Sequence, residues 1–174
     1  MTEDSTRDTL IAAARAAARN AHAPYSRFAV GAAVLLTDGR IVTGANFENA
    51  SYGLSLCAET VALATVNSGG DLRQVVAIGV IGGAMDADGR PTGNAPVGPC
   101  GRCRQVINEA ADMAGRDILV WCGAAEGDAV ERRTIARTAI SGETRGPKTD
   151  TIGESFACRS CPTAGSASKR SPPA

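Results

Sequence analysis

Two short cysteine motifs hold the chemistry available to this sequence. One is Cys57-Ala58-Glu59, the other Pro99-Cys100-Gly101-Arg102-Cys103. Cys100 and Cys103 are three residues apart, so in the first turn of a helix their thiols point to one side. That geometry suits two ligands of one tetrahedral zinc ion. Helix N-termini also favour thiolates, because unpaired N–H groups and the macrodipole stabilise negative charge. Cys57 can supply a third ligand, leaving the fourth position for water, which marks a catalytic rather than a structural site. Glu59 follows Cys57 by two residues, near the metal with no need to ligate it. A carboxylate there can take a proton from water and deliver it to a substrate nitrogen. Three thiolates give the zinc complex a net negative charge that makes its water a poorer acid. Arg104, directly after Cys103, is the candidate to offset that charge.

Each motif is weak when read alone. A lone C-x-x-C in a reducing compartment has metal binding as one reading among several, and a lone Cys57 fits an inert buried thiol. Their combination is the informative feature. Zinc-dependent deaminases of nucleobases carry H-x-E followed by P-C-x-x-C, with a three-cysteine variant, and this chain has C-x-E followed by P-C-x-x-C.

The elements that must hold these motifs follow from periodicity. A first helix spans Leu10, Ala14, Ala17 and Ala21 at helical spacing, with Ser5 or Thr6 as its cap and Pro24 as its end. Arg7, Arg15 and Arg19 read as its solvated face. Ala29–Leu36 and Ile41–Phe47 form two strands, joined at Asp38-Gly39, whose residue types suit a type I′ hairpin turn. A loop covers Glu48 to Leu56, and a second helix Ala58 to Val66 ends at Gly69-Gly70. Val75–Ile81 reads as a strand buried on both faces, and Gly82–Gly98 as a long loop. Pro99 opens a third helix that Gly115 ends, and Ile118–Cys122 is the last strand. Strands alternating with helices in this way predict an α/β domain with a mixed sheet and helices on its faces.

Composition narrows the function classes. The 174 residues carry 18 basic and 18 acidic side chains, a net charge of zero. That balance argues against a nucleic-acid track or a polybasic membrane binder. No apolar run reaches the roughly 20 residues of a membrane span, and the polar N-terminus has no signal-peptide core. A cytoplasmic protein is expected, where the six cysteines stay reduced. Aromatics are 3% of the chain, so Ala, Val, Ile and Leu must build the core. Residues 142–174 are rich in Gly, Ser, Thr, Pro and charge and read as a flexible tail after a catalytic domain of residues 1–141.

Over roughly Leu10 to Ile135 the chain resembles the cytidine deaminases of free nucleosides, in the small-subunit form with three cysteines. The resemblance rests on Pro24-Tyr25-Ser26-Arg27-Phe28, Val30-Gly31-Ala32-Ala33, Asn46-Phe47-Glu48-Asn49-Ala50-Ser51-Tyr52, the two cysteine motifs and Arg104-Gln105. It implies a three-layer α/β/α fold with a mixed sheet and one Zn²⁺ per subunit on Cys57, Cys100 and Cys103. It also implies Glu59 as the catalytic proton carrier and hydrolysis of cytidine and deoxycytidine to the uridine nucleosides and ammonia in pyrimidine salvage. Asn46 and Glu48 are implied to bind the ribose hydroxyls. As residues two apart at a strand end they project to one side, which also fits strand-end capping. Phe28 is implied to stack on the pyrimidine, and reads alone as a core residue. The Ala58 N–H is implied to hold the base carbonyl, and the Gly98-Pro99 backbone to accept from the leaving amine. Tyr25 and Tyr52 resemble positions near the pocket and a subunit boundary. The implied assembly is a homotetramer, with a nucleoside as ligand and neither nucleic acid nor membrane as partner.

The chain departs from the resemblance in two places. Thr60 stands where many relatives carry an arginine, and the Leu-Leu-Pro motif usual near the C-terminus is missing. In the tail, Phe156 and the Cys158-Arg159-Ser160-Cys161 run are unexplained. A four-cysteine structural site joining Cys158 and Cys161 to Cys100 and Cys103 would leave Cys57 and Glu59 without a role. Cys122 reads as core and His22 as a helix-end surface residue. Two rival functions share these motifs: deamination of a nucleoside-like antibiotic such as blasticidin S, and a non-catalytic zinc-stabilised binding module. The Asn46-Phe47-Glu48-Asn49 stretch favours a plain ribose over the first, and Glu59 is superfluous in the second.

Overall fold

The computed structural model describes residues 2–136. The tail from 142, with Phe156, Cys158 and Cys161, lies outside the described residues. Helix α1 (Glu3–Ala18) leads into strands β1 (Phe28–Leu36) and β2 (Ile41–Ala45), helix α2 (Ala58–Ser68), strands β3 (Val75–Met85) and β4 (Pro91–Thr92), helix α3 (Gly101–Ala114), and strands β5 (Ile118–Ala124) and β6 (Val130–Ile135). The sheet runs β2-β1-β3-β5-β6, with β4 paired to the end of β3. Only β3 and β5 are parallel, linked through α3; the other pairs are antiparallel. The expected mixed sheet with helices on both faces is therefore present.

Residue parity along the strands assigns the faces. Ala33, Ala77, Ile81 and Trp121 meet Leu10, Ile11, Ala14 and Ala18 of α1. On the opposite face Ala32, Val34, Ile78, Val80 and Val120 meet Ala58, Ala62, Leu63 and Val66 of α2 together with Ile107, Ala110 and Ala111 of α3. Small side chains let the helices lie close to the strands. A Cβ on Gly44 would fall 2.5 Å from the Ala58 carbonyl oxygen and 2.6 Å from the Ala62 nitrogen. Glycine at 44 thus lets the first turn of α2, the turn that follows Cys57, rest on the backbone of β2.

Several expectations need correction. Thr2 caps α1, its hydroxyl accepting from the Ser5 N–H at 3.3 Å, with Glu3 and Asp4 in the first turn. The helix stops at Ala18, before Pro24, because the chain after it is claimed by the sheet edge. His22 N–H donates to the Asn46 carbonyl, and the His22 carbonyl accepts from the Glu48 N–H. His22 is therefore an exposed bridge to Phe47 rather than part of a helix end. At the hairpin, the Gly39 N–H donates to the Leu36 carbonyl, and Gly39 has φ +88° while Asp38 stays at negative φ. One left-handed glycine after a tight turn is a three-residue hairpin loop, not type I′. The long loop begins only at Asp86, since β3 runs on to Met85 and pairs with β4. Strand β6 lies beyond the elements that periodicity predicts: its sequence VERRTI is mostly exposed at the sheet edge, so it shows no apolar alternation.

Candidate metal centre and substrate cavity

Cys57 is the N-cap of α2 and Cys100 the N-cap of α3, with Cys103 in the first turn of α3. Because both helices lie on the same face of the sheet with these ends adjacent, the three thiol sulfurs fall within 4.8 Å of one another. Cys57 Sγ and Cys100 Sγ are 3.9 Å apart. Tetrahedral ligands with Zn–S bonds of about 2.3 Å are separated by about 3.8 Å, so the donor set fits zinc in type and spacing. Among the described residues this is the sole such cluster, and these cysteines form no disulfide.

Electrostatics points the same way. Burial pushes the Cys57 thiol above its ordinary range, with repulsion from Cys100 and Glu59 adding to it. Burial and the Glu59 and Cys57 charges push Cys103 up further. For Cys100 burial also opposes ionisation, but the N–H groups of Cys103 and Arg102 and the neighbouring thiols outweigh it and hold the thiol below its ordinary range. Three thiolates in contact need a cation among them, and Zn²⁺ meets that need.

Cys57 and Cys100 of the cluster line one end of a cavity of about 440 Å³, whereas Cys103 is fully buried. Glu59 lines it beside Cys57 and Cys100 and is 3% exposed. Burial raises its carboxyl above the usual carboxylate range. The Thr60 hydroxyl lies 3.8 Å from Cys103 Sγ, making one polar contact to a ligand where an arginine would bring charge. Arg104 donates Nε to the Pro99 carbonyl at 3.0 Å and lines a separate hollow with Val120 and Arg133. It braces the loop before α3, and the carbonyl it holds belongs to the Gly98-Pro99 pair expected to face a leaving amine.

The other end is built from strand ends. Phe28, Asn46 and Glu48 all line the cavity, with Ser26, Val30 and Val97. Asn46 uses both ends of its amide on β1: Oδ1 accepts from the Val30 N–H at 2.8 Å and Nδ2 donates to the Phe28 carbonyl at 2.9 Å. Glu48 Oε2 accepts from the N–H groups of Tyr25 and Ser26 at 3.0 and 3.2 Å. The Ser26 hydroxyl, with those two N–H groups, holds the Glu48 carboxyl below the usual range. The strand-end reading of Asn46 and Glu48 thus describes real bonds, made by side chains that also face the cavity. Ala58 is fully buried behind the wall; its N–H lies in the first turn of α2, where no intrahelical acceptor exists. Tyr52 lines the mouth and is 82% exposed, whereas Tyr25 is exposed outside it.

Arg102 and Ser55 also line the cavity, with Arg102 Nη1 3.4 Å from the Ser55 carbonyl. Neither was singled out from the sequence. For Arg102 a signal was available, because it lies inside the C-x-x-C turn. Cys122 is buried as expected. A second cavity of about 460 Å³ lies beside α1, but its arginines are engaged: Arg7 with Asp4 and Asp8, Arg15 with the Ala124 and Gly127 carbonyls.

Comparison with known proteins agrees with this site. Residues 4–115 match the family described as "Cytidine and deoxycytidylate deaminase zinc-binding region". The chain is 47% identical over 125 residues to a cytidine deaminase of Halalkalibacterium halodurans, covering 72% of this chain and 85% of that protein. The crystal structure of a cytidine deaminase from Burkholderia pseudomallei superposes with a TM-score of 0.62 at 38% identity, over 78% of this chain and 94% of that one. The cytidine deaminase of Mycobacterium tuberculosis superposes with a TM-score of 0.51 at 41% identity, over 65% and 81%.

Proposed function

This chain belongs to the cytidine and deoxycytidylate deaminase family and is a zinc-dependent deaminating hydrolase, and from that premise we propose that it converts cytidine and deoxycytidine to uridine and deoxyuridine with release of ammonia, as a step of pyrimidine salvage in the cytoplasm. The observation that carries this reading is the buried Glu59 on the wall of one nucleoside-sized cavity, beside Cys57 and Cys100 of a three-thiol cluster that the buried Cys103 completes.

Cys57, Cys100 and Cys103 would hold the Zn²⁺, which when bound acidifies water to supply a nucleophile at neutral pH. The chain's own residues do the rest. Glu59 takes a proton from the attacking water and passes it to the ring nitrogen next to the amine-bearing carbon. It then carries the second water proton to the departing amine, so that water and cytidine leave as uridine and ammonia. Burial suits Glu59 to this shuttle, since a raised pKa strengthens the carboxylate as a base and keeps its acid form accessible. Phe28 offers a face for the pyrimidine, and Asn46 and Glu48 stand where ribose hydroxyls would lie. Gly98 lines the side expected to receive the amine. We read the assembly as a homotetramer, which the exposed Tyr25, Phe47, Tyr52 and Leu54 support as apolar surface for a second copy to cover.

Glu59→Gln tests the reading. Turnover of both nucleosides, followed by ultraviolet absorbance, should fall by about 10³- to 10⁴-fold, with zinc content and melting temperature close to the parent. Retention of turnover within tenfold would remove Glu59 from the mechanism. Loss of zinc together with activity would make it a ligand instead.

A further inference from the structure

We propose that Arg27 is a positioning residue for the nucleoside, acting by turning the Phe28 ring into the cavity; this rests on the reading that the cavity binds a pyrimidine nucleoside. Arg27 is the one residue other than glycine at positive φ among the described residues, at +55°. That region is costly for a side chain with a Cβ and persists where the surroundings over-determine it. Here they do. The Arg27 N–H donates to the Ala23 carbonyl at 3.1 Å, and its carbonyl accepts from the Met85 N–H at 2.7 Å. Its guanidinium Nη2 donates to the Asp86 carbonyl at 2.8 Å. Backbone and side chain together fasten the start of β1 to the end of β3.

Its neighbours complete the device. Tyr25 and Ser26 give their N–H groups to Glu48, and the Phe28 N–H donates to Ser26 Oγ at 3.1 Å. Every backbone N–H from Tyr25 to Phe28 is therefore bonded, and the left-handed turn falls on the residue directly before the aromatic ring. Phe28 is only partly covered, at 38% exposure, and its ring lies against Gly82 with Val30 and Val97 beside it. The Arg27 side chain itself is absent from the cavity wall, whereas its neighbours Ser26 and Phe28 line it, so its influence on substrate is indirect and the route through Phe28 is the one to test.

The test combines kinetics on cytidine, calorimetric binding of uridine and a double-mutant cycle, all on the zinc-loaded full chain. Arg27→Ala should raise KM and weaken uridine binding about tenfold, with kcat within about twofold. Arg27→Val, whose β-branch resists the left-handed region, should raise KM more, and Arg27→Lys should recover part of the loss. Arg27→Ala added to Phe28→Ala should have little further effect on KM, because its route has been removed. A merely structural role would lower the melting temperature with KM and uridine affinity unchanged, or give an effect on KM that adds to that of Phe28→Ala. Unchanged KM and uridine affinity in Arg27→Ala and Arg27→Val, or additivity in the cycle, would overturn the proposal. Wild-type protein that neither deaminates cytidine nor binds uridine would instead break the underlying reading, and this proposal with it.

Discussion

The two ends of the cavity are built on different principles. At the thiol end, Cys57, Cys100, Cys103 and Glu59 sit in the first turns of two helices or at their caps. The helices carry the fold, and the side chains are left to their chemistry. At the opposite end, Asn46 and Glu48 are themselves the fasteners of the segment that presents Phe28. A group there cannot be changed without moving the wall it belongs to. The thiol end should therefore lose chemistry while keeping its fold, whereas the strand end should lose affinity and stability together.

Removing a ligand gives the largest effect. Cys103 is fully buried, and Cys103→Ser replaces a soft thiolate by a hydroxyl that zinc binds poorly. Zinc measured per chain should fall well below one, and deamination should drop to background. The far-ultraviolet circular dichroism spectrum should persist, because Ile107, Ala110 and Ala111 still anchor α3 to the sheet. Unfolding on loss of the metal would break the comparison, by making the thiol end as structural as the other.

Legibility in the sequence follows the same division. The thiol end could be read because residue spacing maps directly onto helix geometry: Cys100 and Cys103 needed only a helix start, which Pro99 marks. The central strand was legible because burial on both faces leaves a continuous apolar run. Strand β6 was not, since an exposed edge strand is held by its ladder to β5 rather than by its side chains. The end of α1 and the bridge at His22 were hidden for a related reason: distant backbone pairing with Asn46 and Phe47 overrides local helix preference. The double role of Asn46 and Glu48 was visible only as a choice between capping and ligand binding. The structure shows the capping bonds in a cavity wall, so the two readings need not exclude each other.

Glu48 gives the intermediate effect and the sharpest probe of that double role. Glu48→Gln removes charge and one acceptor from a carboxylate that serves two backbone N–H groups and the Ser26 hydroxyl. KM for cytidine should rise, and stability at neutral pH should fall by about 1–2 kcal/mol. The pH dependence identifies the cause. The folded-state pKa lies below the ordinary value of 4.5, so this stabilisation is complete above the unfolded value and is lost as pH falls through the folded one. Wild-type protein should lose stability on acidification below about pH 4.5 more steeply than Glu48→Gln. Parallel curves with a raised KM would leave Glu48 a ligand-binding group only.

Thr60 is expected to give the smallest effect, and it tests how self-sufficient the thiol end is. Its hydroxyl makes one long contact, 3.8 Å, to Cys103 Sγ, while Arg104 has Nε on the Pro99 carbonyl. Thr60→Val keeps the shape and removes the donor. A hydrogen bond of about 1 kcal/mol corresponds to roughly fivefold faster transfer of zinc to a chelator, with the melting temperature of the metal-loaded protein nearly unchanged. Thr60→Arg should act in the opposite sense. A cation beside three thiolates stabilises their charge, which outweighs the unfavourable placing of a positive side chain in the first turn of α2. If neither substitution alters zinc retention or turnover, the helix N-termini alone balance the thiolates. The thiol end would then depend on its backbone as much as the strand end depends on Asn46 and Glu48.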